Sequence, residues 1–160
     1  MEFKPHGYQK HCIEKIIEIK KIGLFLDMGL GKTITTLTAV KELKYNRFEV
    51  RKVLVIAPKK VAEGTWSKEK DKWEHTQMLR VSQVLGSQTK RIRALNTPAD
   101  IYITNRENVV WLVDYYRNSW PFDMVVIDES SSFKSWSVVF VCLKECSGKT
   151  MTDCSSLSCV

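Results

Sequence analysis

The sequence predicts an α/β fold in which helices cover both faces of a doubly wound, mostly parallel sheet. Short apolar runs rich in β-branched residues alternate along the chain with segments of helical spacing. The runs are unbroken, as is typical of parallel strands that are buried on both faces. The length of 160 residues is that of one domain. We therefore expect one sheet whose strands end along a common edge, where ligands bind in such folds.

The individual elements follow from the same two patterns. The predicted strands are Gly23–Leu26, Val53–Ala57, Arg80–Leu85, Ile101–Thr104 and Met124–Ile127. The predicted helices are Tyr8–Lys21, Lys32–Lys44 and Glu107–Arg117, each with apolar residues on one side.

The charge balance is basic. Lys and Arg number 25 against 18 Asp and Glu, which gives a net charge of +7. This excess favours a polyanionic partner such as nucleic acid, but ordinary solubility explains it equally well. No apolar run approaches the roughly 20 residues of a membrane-spanning helix, and no secretory signal is visible at the start. We expect a cytoplasmic protein without a membrane partner.

The cysteines indicate neither disulfides nor a strong metal site. There are five, and four of them lie near the end of the chain: Cys142, Cys146, Cys154 and Cys159. A disulfide framework is not typical of a cytosolic chain. Zinc remains a minor alternative, because the spacings lack a C-x2-C pair and the three histidines lie far off in sequence.

The segment after the first predicted strand carries the clearest chemical signal. It reads DMGLGKT, from Asp27 to Thr33, and a helical pattern follows at once. Gly29 and Gly31 would let backbone N–H groups curl around phosphate oxygens at the positive end of the new helix. Lys32 would supply a charge to the β and γ phosphates, and Thr33 a hydroxyl to Mg2+. Leu26 stands where the strict phosphate-loop pattern has its first glycine.

A second signal ends the strand Met124–Ile127, where two carboxylates follow in succession. Asp128 is expected to hold Mg2+ and Glu129 to polarise the attacking water. Alone, an apolar strand that ends in Asp-Glu could equally be the start of a solvated loop. Combined with the phosphate loop, it predicts a Mg-ATP site.

DMGLGKT and VVIDES together resemble the first RecA-like lobe of superfamily 2 helicases, and among these the Swi/Snf-like DNA translocases. The resemblance covers about residues 3 to 135. It implies a P-loop NTPase fold of the RecA-like type, ATP and Mg2+ as cofactors, and duplex DNA as partner. It also implies that a second lobe supplies arginines across the nucleotide.

Three further segments resemble elements of the same family. Phe3–Gln9 resembles its adenine-recognising element, which implies that Gln9 reads the base; the alternative is an exposed glutamine on an amphipathic helix. Val53–Pro58, followed by Trp66 and Trp73, resembles a motif whose tryptophans we assign to the core rather than to base stacking.

The third of these segments, Ile101–Asn105, resembles the element that touches the nucleic-acid backbone. With it, Lys59, Lys60, Thr104 and Asn105 become candidate phosphate contacts, although surface lysines near any strand end would look alike.

The end of the sequence departs from the family. Ser130 and Ser131 follow Asp128-Glu129 where many relatives carry a histidine, so coupling to nucleic acid could run through these serines. From residue 136 the chain is rich in Ser and Cys, which predicts a lobe over 1–135 and an irregular tail over 136–160, with disorder of that tail left open. A truncated or frame-shifted end and a divergent sixth strand at Val138–Leu143 are both open.

The sequence thus predicts the ATP-binding lobe of a DNA-dependent ATPase that lacks the second lobe. Since an arginine supplied in trans is worth on the order of 10³ to 10⁵ in rate, this lobe should bind ATP better than it hydrolyses it. The alternatives are a non-catalytic nucleotide- or DNA-binding module completed by a separate chain and, third, an unrelated P-loop kinase or ATPase.

Overall fold

The computed structural model describes residues 1–19, 21–27, 29–130, 136–143 and 158–159. The helices are α1 (Gly7–Glu18), α2 (Lys32–Lys41), α3 (Trp66–Lys72), α4 (Gln88–Asn96) and α5 (Val109–Tyr116). The strands are β1 (Lys21–Asp27), β2 (Val53–Ala57), β3 (Val81–Gln83), β4 (Ile101–Asn105), β5 (Met124–Ser130), β6 (Trp136–Leu143) and β7 (Ser158–Cys159). Within the described ranges no helix is both long enough and apolar enough to span a bilayer.

The seven strands form one sheet in the order β3-β4-β2-β5-β6-β1-β7. Strands β3, β4, β2 and β5 pair in parallel. Strand β6 lies antiparallel to both β5 and β1, so β1 runs in the same direction as β5. The predicted α/β class with a mostly parallel sheet is confirmed.

Successive side chains on a strand point to opposite faces of the sheet and therefore enter two separate cores. On β2, Val53, Val55 and Ala57 pack on one face and Leu54 and Ile56 on the other. The first core also receives side chains from α1, α2 and α3, and the second receives side chains from α4 and α5. Burial on both faces explains why the strands read as continuous apolar runs rather than as alternating ones.

The register of β6 aligns the two strands that carry the chemical signals. Val139 lies opposite Leu24 of β1 on one side and opposite Asp128 of β5 on the other. The strands β1 and β5 therefore end at the same edge, one strand apart. The carboxyl ends of these two strands therefore lie close together, at the edge of the sheet where ligands bind in such folds.

The opposite edge is held by one buried carboxylate, Asp100. It pairs with Lys44 Nζ at 3.0 Å, and it accepts hydrogen bonds from the Tyr45 hydroxyl and the Arg80 backbone N–H. Burial raises the pKa of Asp100, but the hydrogen bonds from Arg80 and Lys44 lower it by more, so the pKa is below its ordinary value. This cluster ties the end of α2 to the sheet.

Element boundaries differ from the sequence prediction by a few residues. Helix α1 ends at Glu18 rather than Lys21, because Ile19 is already extended and β1 begins at Lys21. Helix α2 passes into a π-helical turn over Glu42–Asn46. Strand β3 is shorter than predicted, and a 3-10 turn precedes α5.

Helix α4 was missed by the sequence analysis because few of its residues are apolar, and among them only Leu95 is fully packed. Its one local signal is Ser87, whose hydroxyl accepts the backbone N–H of Lys90 as an N-cap. Strand β6 covers the segment left open as a divergent sixth strand. The cysteine side chains beyond it, and those of residues 131–135, lie outside the described residues.

Candidate nucleotide site at the carboxyl edge of the sheet

The loop between β1 and α2 has the backbone of a phosphate cradle. Gly29 and Gly31 have φ of +87° and +74°, a region that residues with a Cβ rarely adopt. Gly31 is the residue before the first turn of α2, where the first backbone N–H groups have no partner within the helix. The loop therefore directs free donors and the positive helix end to one place, as anion binding requires.

The Lys32 side chain lies folded over this loop. Its Nζ donates to the carbonyl oxygens of Leu26 at 2.9 Å and Asp27 at 3.1 Å. Burial lowers the pKa of Lys32, and the nearby carboxylates of Asp128 and Asp27 oppose that shift. The Lys32 amine is therefore bonded to backbone carbonyls beside the phosphate loop. It can exchange these bonds for bonds to a phosphate group.

Asp128 lies near Lys32, at the end of β5. It is 9% exposed, and burial raises its pKa, while a hydrogen bond from Trp66 and the charge of Lys32 lower it. The two residues thus interact electrostatically although they are distant in sequence. Glu129 is the next residue of the same strand, and its side chain lies outside the described part.

Trp66 was assigned to the core, and it is fully buried there. The sequence analysis missed its polar contact: the indole Nε1 donates to Asp128 Oδ2 at 3.2 Å. No local pattern signals this bond, because the two residues lie 62 positions apart and meet only through the packing of α3 on the sheet. Trp73, just after the end of α3, is half-buried and lines the cavity described below, so its assignment to the core is wrong; its indole donates to Glu69.

Gln9 is buried, so it is not the exposed helix residue of the alternative interpretation. Its Oε1 accepts the backbone N–H of His6 at 2.9 Å, and its Nε2 donates to the Leu30 carbonyl at 3.3 Å. The amide therefore joins the N-terminal segment to the phosphate loop.

A cavity of about 410 Å³ opens beside this amide. Its lining includes three aromatic residues, a glycine of the phosphate loop and the glutamine itself: Phe3, Tyr8, Trp73, Gly31 and Gln9. Ligand pockets in proteins typically have volumes from about 300 to 1,000 Å³. An aromatic-walled cavity next to a phosphate cradle has the size and chemistry to hold a nucleoside.

Gly31 provides a direct test of this geometry. A Cβ at Gly31 would lie 2.7 Å from Gln9 Nε2, whereas one at Gly29 would meet nothing within 4 Å. Both positions have positive φ, so alanine at either costs on the order of 1 kcal/mol of backbone strain. We expect Gly31→Ala to weaken adenine-nucleotide binding by about tenfold more than Gly29→Ala. Fluorescence titration with a labelled nucleotide measures the difference, and equal losses would contradict the contact.

One wall of the cavity is fixed by His75. Phe3 stacks on its ring with a centroid distance of 5.1 Å, and its Nε2 lies 2.8 Å from Thr38 Oγ1 on α2. The Thr38 hydroxyl donates to the Ile34 carbonyl, so the histidine donates to Thr38 and carries its proton on Nε2. Burial, helped by the charge of Lys41, lowers the pKa of His75.

This shift predicts a pH dependence of stability. Because the folded state disfavours the imidazolium, His75 contributes stability above its unfolded pKa of about 6.5, and that stability is lost as pH falls towards the folded pKa. We expect the melting temperature to fall between about pH 7.5 and about pH 5.5, and His75→Gln to flatten that slope. Thermal unfolding at several pH values measures it. An equally steep slope in the variant would refute the assignment.

The predicted nucleic-acid contacts lie near the same edge but differ in exposure. Lys59 and Lys60 are exposed just after β2. Thr104 is fully buried and its hydroxyl donates to the Val84 carbonyl, so this side chain is not on the surface. Asn105 is half-buried, and its Oδ1 is without a hydrogen-bond partner among the described residues.

A metal ion at this site would be held without a preformed cluster of protein ligands. The described residues contain no group of three His, Cys, Asp or Glu side chains placed to hold a metal ion. Mg2+ is typically held by one or two protein groups together with substrate phosphates and water. Asp128 and the half-buried Thr33 fit that mode.

Comparison with known proteins identifies the family and the fold of the chain. The SNF2-related domain model matches residues 8–147. The chain belongs to the SNF2-related domain family. The match includes the phosphate loop, the Asp-Glu strand end and β6, and it continues past residue 135, where the sequence analysis ends the lobe.

Two individual proteins are similar to this chain in sequence or in fold. This SNF2-related chain is 41% identical over 135 residues to protein p41 of Acyrthosiphon pisum secondary endosymbiont phage 1, an alignment that covers 84% of the chain and 29% of p41. Its fold is similar to that of the Sulfolobus solfataricus SWI2/SNF2 ATPase core in complex with dsDNA, with a TM-score of 0.61 and 24% identity. That match covers 79% of this chain and 26% of the Sulfolobus chain, so the chain spans less than a third of either relative.

Proposed function

We propose that this SNF2-related chain is the Mg-ATP-binding lobe of a DNA-dependent ATPase of the Swi/Snf-like helicase type. The observation that carries the proposal is the shared end of β1 and β5, which brings Lys32 and Asp128 near enough to interact electrostatically. A cationic loop and a buried carboxylate from separate strands interact electrostatically at one sheet edge, beside an aromatic-walled cavity. Phosphoryl-transfer sites combine these parts.

Each residue has a distinct task in this proposal. Gly29 and Gly31 shape the cradle, and Lys32 leaves its carbonyl contacts to neutralise the β and γ phosphates. Thr33 and Asp128 hold Mg2+, which neutralises developing charge on the phosphates when bound. Glu129 orients and polarises the attacking water.

The base is assigned to the cavity. The Gln9 amide already uses both its acceptor and one donor within the protein. An amide NH2 has a second donor hydrogen, and its oxygen has a second lone pair, so it can still read the edge of an adenine. Phe3 and Trp73 supply aromatic walls for the ring.

Nucleic acid is assigned to the lysines after β2. The net charge of +7 and the exposed pair Lys59 and Lys60 favour phosphate backbone contacts. The Sulfolobus relative was solved with dsDNA, which makes duplex DNA the first partner to test. Asn105 remains a candidate contact, and the buried Thr104 is a weaker one.

Turnover is expected to be slow for these 160 residues alone. They provide one lobe, and the family resemblance places the arginines that stabilise the transition state on a second lobe. Such an arginine contributes on the order of 10³ to 10⁵ in rate. A second lobe supplied in trans should therefore raise phosphate release.

The test is a pair of measurements on the full chain. Labelled ATP is titrated in Mg2+ and in EDTA, with GTP as competitor, and phosphate release is then followed with and without duplex DNA. We expect Mg-dependent binding that ATP competes for better than GTP, and slow release that DNA stimulates.

The outcomes separate the candidate functions. Binding without any release, with or without DNA, would favour the non-catalytic module. Turnover that duplex DNA does not stimulate would contradict the DNA-dependent part of the proposal. A chain that binds no nucleotide at all would overturn the proposal.

A further inference from the structure

The bond between Trp66 and Asp128 is a buried polar contact to one of the proposed metal ligands. Trp66 is fully buried and Asp128 is 9% exposed, with 3.2 Å between the indole Nε1 and Oδ2. Water has little access to either group. In such surroundings a hydrogen bond to a carboxylate is stronger than at the surface, and losing it leaves a charge poorly compensated.

The indole is an unusual partner for a carboxylate that must hold a cation. Its N–H can only donate, and the ring is locked by packing at the start of α3. It therefore brings no competing positive charge, unlike a lysine or an arginine. It fixes the carboxylate through Oδ2 and leaves Oδ1 as the oxygen that can coordinate a metal.

Trp73 differs from Trp66 in its burial and in its hydrogen-bond partner. Trp73 is half-buried, and its indole donates to Glu69, four residues earlier on α3. Trp66 instead reaches across 62 positions to the acidic end of β5. The acceptor, Asp128, is buried and also interacts with Lys32 of the phosphate loop.

We propose that Trp66 is a positioning residue for the divalent cation: its indole N–H fixes the Asp128 carboxylate in the orientation that Mg2+ binding requires. The proposal rests on the proposed function, because it assigns Asp128 to Mg2+. Groups that orient a metal ligand are typically worth about 10- to 100-fold in metal affinity.

Trp66→Phe tests the proposal, since it keeps an aromatic ring and removes the donor. The nucleotide affinity of the full chain is measured in EDTA and in Mg2+ with labelled ADP. We expect the EDTA value to stay within about twofold, while the gain that Mg2+ gives falls by about tenfold. Trp111→Phe on α5 is the matched control, because Trp111 packs against Arg91 away from the site.

Two outcomes would overturn the inference. One is an unchanged Mg2+ gain in Trp66→Phe. The other is an equal loss in EDTA and in Mg2+, which would mean that Trp66 only supports the fold. A wild-type chain that binds nucleotide without any Mg2+ gain would count against the metal assignment of Asp128, and one that binds none would overturn the proposed function itself.

A measurement on the wild type covers the case in which the variant does not fold. The chain has five tryptophans, so 15N labelling gives five indole N–H signals, which Trp→Phe changes at the other four positions assign by elimination. Adding Mg2+ to the ADP complex should move the Trp66 signal and leave that of Trp111 in place. A Trp66 signal that does not respond to Mg2+ would refute the proposal.

Discussion

Lys32→Ala is expected to abolish most nucleotide binding while the fold persists. The amine is the cation placed over the phosphate loop, and its bonds within the protein are to the carbonyls of Leu26 and Asp27. Removing one partner of a close charge pair typically costs about 2 to 5 kcal/mol, which is about 30-fold or more in affinity. Titration of labelled ATP in Mg2+ measures the loss.

The control for this variant is Lys15→Ala. Lys15 lies on α1 and pairs with Glu18 at 3.4 Å, away from the phosphate loop. It should bind nucleotide like the wild type, and both variants should melt close to the wild-type temperature. Retention of affinity in Lys32→Ala would mean that the loop does not bind phosphate.

Asp128→Asn is expected to have opposite effects on binding and on stability. The amide keeps an oxygen for the Trp66 indole but loses the charge that attracts Mg2+, so the Mg-dependent gain in affinity should fall by at least about tenfold. The raised pKa of Asp128, due first to burial, shows that the fold disfavours the ionised acid. The neutral amide should therefore raise the melting temperature of the nucleotide-free chain at neutral pH.

Calorimetry and nucleotide titration on the same preparation measure both effects. Asp114→Asn is the control, because Asp114 is exposed on α5. A variant with reduced stability and a full Mg2+ gain would contradict the assignment. Lower function combined with higher stability is typical of functional sites that keep a charged group where an uncharged group would make the fold more stable.

The sequence predicted the parts of the site that are local in the chain. DMGLGKT needs only its glycines, its lysine and the strand and helix around it to indicate a phosphate cradle, and the φ angles of Gly29 and Gly31 fit that prediction. The five strands were found for the same reason, since burial on both faces leaves a local signal. Helix α4 lacks an apolar stripe and was missed.

The fold class can be predicted from neighbouring residues alone, and so can the candidate phosphate loop and the acidic strand end. Three features cannot be predicted in this way: the antiparallel position of β6 between β1 and β5, the approach of the Gln9 amide to Gly31, and the bond from Trp66 to Asp128. These contacts join residues far apart in sequence. Their partners are selected by how helices pack on the sheet, and no local pattern of residues records that choice.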